Sequence, residues 1–115
     1  MGLDITIQSK KCEKYFRKVN FLIPFVQSKM DHTMDDCEHV PLSIEDLQDL
    51  VDKCKAVLDD HSKAEELLPT QCGFFFGSTA YDEGYFQDVQ QVYDDISEML
   101  GEMTEGETAD FEAWW

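Results

Sequence analysis

The residue types best suited to chemistry gather between Gln27 and Pro41, where Asp31, His32, Asp35, Asp36, Cys37, Glu38 and His39 follow one another closely. Imidazole, thiolate and carboxylate are the donors that hold zinc or a hard cation. Their spacing lacks the second cysteine pair and the H-x3-5-H run of structural zinc sites, so we expect a solvated acidic loop and no metal. Cys37 and His39 supply a thiol and a base. A nucleophile also needs its base oriented by a third group and donors aimed at the developing oxyanion, and neither is in the pattern. No residue is assigned a catalytic role, and no cofactor is expected.

A second group lies near GFFFGST, residues 73–79. Its glycines suggest a phosphate-cradling loop, but the spacing is wrong and no lysine follows the second glycine to meet the phosphates. Ser78, Thr79, Tyr81, Asp82, Glu83 and Tyr85 are candidates to line a small polar pocket where a strand turns into a helix and helix amides are free. Helix capping by Ser78, Thr79 or Asp82 explains most of the same residues.

Charge is the strongest global signal. The chain has 115 residues, with 9 Lys and Arg against 25 Asp and Glu, for a formal net charge of −16. Every base lies at or before Lys63, while residues 64–115 hold thirteen acids and no Lys or Arg. Such a half repels phosphate backbones, which excludes direct nucleic-acid binding and favours basic protein surfaces. Asp94 and Glu98, then Glu98 and Glu102, are like-charged pairs four apart on the last helix, and Asp88, Asp95 and Glu102 recur every seven residues. These pairs weaken a helix by a few tenths of a kcal/mol each, roughly, so they bring no local gain. Either the basic face of the first predicted helix, with Lys10, Lys14, Arg17 and Lys18, neutralises them within the chain, or they are displayed to a basic partner; solubility from net charge is the competing explanation. Phe111, Trp114 and Trp115 punctuate an acidic end, where aromatics can dock into a groove rimmed by positive charge or fold back on the chain's own core.

The elements that must position these groups follow from periodicity. Leu3, Ile5 and Ile7 alternate with polar residues, predicting a strand over residues 2–8. Cys12, Tyr15, Phe16, Val19, Leu22 and Ile23 have helical spacing with Lys10, Lys14, Arg17 and Lys18 opposite, predicting an amphipathic helix that Pro24 ends or kinks. Residues 27–41 read as a loop with a short strand at its end. Ser43 and Asp46 form a capping box with Leu42 and Leu47 as a staple, opening a helix buried through Leu47, Leu50, Val51, Cys54, Val57 and Leu58. A short helix over 62–68 stops at Pro69, the apolar run 73–77 reads as a strand, and Val89, Val92, Tyr93, Ile96, Met99 and Leu100 give a last helix closed by Gly101. Four cysteines without C-x-x-C spacing read as small buried hydrophobes.

LLPT, GFFFGST and YDEGYFQD, with the opening MGLD, resemble a family of small proteins encoded by bacteriophages and prophages. YFRKVN, DDC and LSIEDLQDLVDKC add to the likeness, which spans most of residues 1–100 and stops before the acidic end. The resemblance implies a phage origin and no particular reaction.

The sequence therefore predicts one α+β domain: a short sheet packed against about three main helices over residues 1–102, followed by an acidic aromatic tail over 103–115. The chain lacks a membrane-length apolar run and a secretory leader pattern, so a cytoplasmic location in a host cell is expected. The leading functional expectation is an acidic protein that binds a host or phage protein with a basic surface, inhibiting a nucleic-acid-handling or defence machine as a DNA mimic. Its expected contact residues are Asp88, Asp94, Asp95, Glu98, Glu102, Phe111, Trp114 and Trp115. The alternative is a small enzyme or ligand-binding domain using the turn from Ser78 to Tyr85.

Overall fold

A computed structural model describes residues 3–72 and 79–115. Alternation places Leu3, Ile5 and Ile7 on one face of strand β1 (Asp4–Gln8), all fully buried. The chain then reverses: the Ser9 amide donates to the Cys12 carbonyl at 2.7 Å and the Cys12 amide to the Ser9 hydroxyl at 3.1 Å, closing a hairpin into β2 (Glu13–Arg17).

The helix expected from Cys12 to Ile23 is thus a strand followed by a short helix. Phe16 is buried and pairs with Ile5, and Lys18 leaves the ladder at a positive φ of 58° while its amide still bonds the Leu3 carbonyl. A bend there brings Val19, Phe21 and Leu22 into the same core, which reproduces helical spacing without a helix. Pro24 does not end a helix either. It sits in the first turn of α1 (Leu22–Gln27), where its missing amide has no intrahelical acceptor to lose.

Strand β3 (His39–Ser43) runs directly into α2 (Ile44–Asp59). The capping box is formed: the Asp46 amide donates to the Ser43 hydroxyl and the Ser43 amide to the Asp46 carboxylate, each at 3.1 Å. Leu47, Leu50, Val51, Cys54 and Val57 are buried along α2 as its spacing requires. A 3-10 turn (His61–Lys63) and α3 (Ala64–Leu67) follow, ending before Pro69. The strand expected over 73–77 lies outside the described residues. Helix α4 (Glu83–Glu102) is capped by Asp82, whose carboxylate accepts from the Tyr85 amide, and buries Tyr85, Val89, Val92, Ile96 and Met99. It runs through Gly101 to a cap at Met103, so Gly101 is not its terminator.

The largest correction concerns residues 103–115. A turn in which the Glu107 amide bonds the Thr104 carbonyl, with Gly106 at φ 88°, where a side chain would be strained, leads into β4 (Thr108–Trp114). This strand is no tail: it lies in the middle of a four-stranded antiparallel sheet of order β2-β1-β4-β3. Ala109, Phe111 and Ala113 are fully buried on the inner face, which is covered by α2 and α4 packed against each other. The fold is α+β, with the helices on one side of the sheet.

Candidate interaction surfaces

The acids of α4 do not share one environment. Asp94, Glu98 and Glu102 are exposed, whereas Asp88 and Asp95 are half-buried where the helix meets the sheet. Because alternation on β2 turns Lys14 to the same side as Phe16, the Lys14 ammonium reaches Glu98 at 3.2 Å and Asp95 at 4.0 Å. The hydrogen bond to Glu98 holds the Lys14 pKa above its ordinary value. Asp88 is shifted up, by desolvation first and the neighbouring Asp82 second. The seven-residue series Asp88, Asp95, Glu102 is therefore not a uniform charged row. Among the described residues, Lys14 makes the only ion pairs to α4, and Asp94 has Gln90 as its hydrogen-bond partner at 3.0 Å.

Phe111 is fully buried and is withdrawn from any contact surface. Trp114 follows Ala113 on β4 and so faces the opposite side, partly exposed, while Trp115 is exposed and its amide donates to the Asp36 carboxylate at 2.9 Å. On that opposite side the register sets side chains in rows: Arg17, Asp4 and Trp114; then Tyr15, Thr6, Glu112 and His39; then Glu13, Gln8, Asp110 and Pro41. No described helix covers this face, and Tyr15 is 50% exposed. The Tyr15 hydroxyl donates to the Asp4 carboxylate. His39 spans two carboxylates, Nδ1 to Asp110 at 2.6 Å and Nε2 to Glu112 at 3.3 Å, and the Asp110 bond above all holds its pKa up.

This arrangement disposes of the Cys37 and His39 pair as a nucleophile and base, because the imidazole is committed to β4. The Cys37 thiol is pushed up, by desolvation and then by Asp36 and Glu112, the reverse of activation. His32 lies between Asp31 at 2.8 Å and Glu38 at 2.5 Å. Among the described residues no group of three His, Cys, Asp or Glu side chains is arranged to hold a metal. Of the cysteines, Cys54 is buried and its thiol is pushed up to about 12, but Cys37 and Cys72 are exposed, contrary to the expectation that all four are buried.

The candidate pocket residues separate. Ser78 lies outside the described residues. The Thr79 carbonyl accepts from the Thr70 hydroxyl at 2.9 Å, and the Tyr81 hydroxyl accepts from the Thr70 amide at 3.2 Å, so both tie the segment before α4 to Thr70. Tyr85 is buried with its hydroxyl donating to the Leu68 carbonyl at 2.8 Å, a structural role, and burial raises its pKa. Glu83 is exposed and accepts from Gln87. Asp82 and Tyr85 nevertheless border a cavity of about 340 Å³ together with Arg17, Lys18, Asn20 and Asp88.

Sequence reasoning missed the sheet face altogether. Its signal was present in Ala109, Phe111 and Ala113 alternating with Asp110, Glu112 and Trp114, the period of a half-buried strand. No protein-family model matches the chain, and no curated protein or solved structure matches it. The fold and surfaces thus define an α+β domain with an aromatic and acidic sheet face that no described helix covers. No described helix is long and apolar enough to cross a membrane.

Proposed function

We propose that this chain is a non-enzymatic acidic protein that binds a basic surface on another protein. The observation that carries this reading is the imbalance of charge: residues 64–115 contain thirteen acids and no Lys or Arg, and Asp94, Glu98 and Glu102 stand exposed along α4. Self-repulsion of that size weakens a fold, so a role in recognition accounts for it better than local stability does. In the phage setting that the sequence resemblance suggests, the partner would be a host or phage protein that handles nucleic acid or defends against it, and the acids would occupy its basic groove.

The test is capture of partners from infected host cells by the tagged wild type and by a variant with Asp94→Asn, Glu98→Gln and Glu102→Gln. The expected result is a basic partner captured by the wild type, released as salt rises, and captured less by the variant. Unchanged capture and salt dependence would leave the α4 charges with solubility alone.

A second reading has one observation in its favour: the cavity bordered by Arg17, Lys18, Asp82 and Asp88, which has residues of both charges in its lining. It would suit a small zwitterion. Saturable stabilisation of the wild type by free amino acids in a thermal-shift screen, lost in Asp88→Asn, is the result this reading requires.

A further inference from the structure

Resting on the basic-partner reading, we propose that the sheet face left open by the described helices, rather than α4 alone, is the docking surface, and that its occupant is an arginine- or lysine-bearing segment of the partner. Three observations converge on it. The face is a continuous four-stranded platform, because β4 fills the gap between β1 and β3. It carries aromatic side chains, Tyr15 and Trp114. Carboxylates stand next to those aromatics in the register: Asp4 is opposite Trp114, and Glu112 lies in the row that holds Tyr15. Guanidinium and ammonium groups are attracted to aromatic faces and to carboxylates alike, so both features of the face select the same ligand chemistry.

Two other occupants fit less well. Aromatics on an antiparallel sheet can stack the bases of a single strand. Here Asp4, Glu13, Asp110 and Glu112 on the same face would repel the phosphates between those bases. A second copy would place the same carboxylates against themselves, in a chain already at a formal −16. A basic segment meets neither obstacle, since the four carboxylates outnumber Arg17 and His39 on the same face.

Trp114, one of the chain's two tryptophans, lies at this face, so intrinsic fluorescence reports on it. The probe is a ten-residue peptide of alternating arginine and alanine, titrated at low salt into the wild type, Thr6→Lys, Tyr15→Ser and the triple α4 variant. Thr6 sits between Tyr15 and Glu112, so a lysine there opposes a basic ligand in mid-platform, while Tyr15→Ser removes an exposed ring without touching the core. The expected result is a fluorescence change with affinity reduced about tenfold or more by Thr6→Lys, less by Tyr15→Ser, and little by the α4 variant. Peptide binding lost only in the α4 variant would overturn the sheet-face assignment while leaving the basic-partner reading intact. Failure of the wild type to bind the peptide at all would overturn both. Binding of an eight-residue oligothymidine at this face, or a dimer in sedimentation that Thr6→Lys dissociates, would replace the proposed occupant. Melting curves of each variant guard against misfolding, and the two sheet-face substitutions act by different chemistry, so loss of one still leaves the other as a test.

Discussion

Ile7 and Phe111 are register partners across the β1–β4 ladder, both fully buried, so a residue near the start of the chain and one near its end share the centre of one core. The sheet cannot be completed until that last strand arrives. Among the described residues β3 has no other strand neighbour, and without β4 none of them would join it to the β1–β2 hairpin.

Truncation after Met103 should therefore abolish cooperative unfolding rather than trim a tail. Phe111→Ala, which keeps the strand but empties its largest buried position, should cost about 3–5 kcal/mol in a denaturant titration. A truncated chain that still melts cooperatively with native-like circular dichroism would show that β4 is dispensable.

How much of this was legible depended on how local the determining interactions are. Ser43, Asp46, Leu42 and Leu47 specify the start of α2 within six residues, and the apolar stripe of α4 repeats through about four turns, so both helices could be read directly. β2 could not, because Cys12, Phe16 and Val19 satisfy helical spacing while the ladder to β1 and the bend at Lys18 decide otherwise. β4 was hidden for a different reason. Two of its three buried residues are alanines, which carry little hydrophobic signal, and its outward Asp110 and Glu112 suggest a solvated end. The sheet face was missed with it, since that face exists only when distant strands pair.

The capping box supplies a smaller, sharper check. Ser43 is at once the last residue of β3 and the cap of α2, so its hydroxyl holds the junction between sheet and helix layers. Ser43→Ala should lower stability by about 1 kcal/mol, with Ser43→Asp recovering much of it. Equal stability of Ser43→Ala and the wild type would mean that the strand alone fixes the helix start.

Lys14 divides the α4 acids by sign. Since Lys14 pairs with Glu98 and approaches Asp95, Glu98→Gln should lower the melting temperature slightly, whereas Asp94→Asn, at an exposed position with no described ion pair, should leave it unchanged or raise it. In a Lys14→Gln background the effect of Glu98→Gln should reverse, because an unpaired acid is then being removed from an acidic neighbourhood. Identical effects of Glu98→Gln in both backgrounds would show that the ion pair is energetically silent.

His39 gives the fold a pH dependence whose direction can be worked out. Its imidazolium is favoured in the folded protein first by Asp110 and then by Glu112, so its folded pKa lies above the ordinary 6.5. A group raised on folding contributes its full stability below the unfolded pKa and loses it as pH climbs through the folded one. The β3–β4 ladder should therefore be firmest at about pH 6, still above the carboxylate range, and weaken as pH climbs past 6.5 through the folded value. His32 acts in the same direction, through Asp31 first and Glu38 second, and the two must be separated. The measurement is the melting temperature of the wild type, His39→Gln and His32→Gln across that interval. Each variant's deficit relative to the wild type should be largest at the acid end and shrink as the wild-type histidine discharges. A His39→Gln deficit that stays constant across the interval would mean that the ring holds β3 by packing or neutral hydrogen bonding, and that its charge contributes nothing.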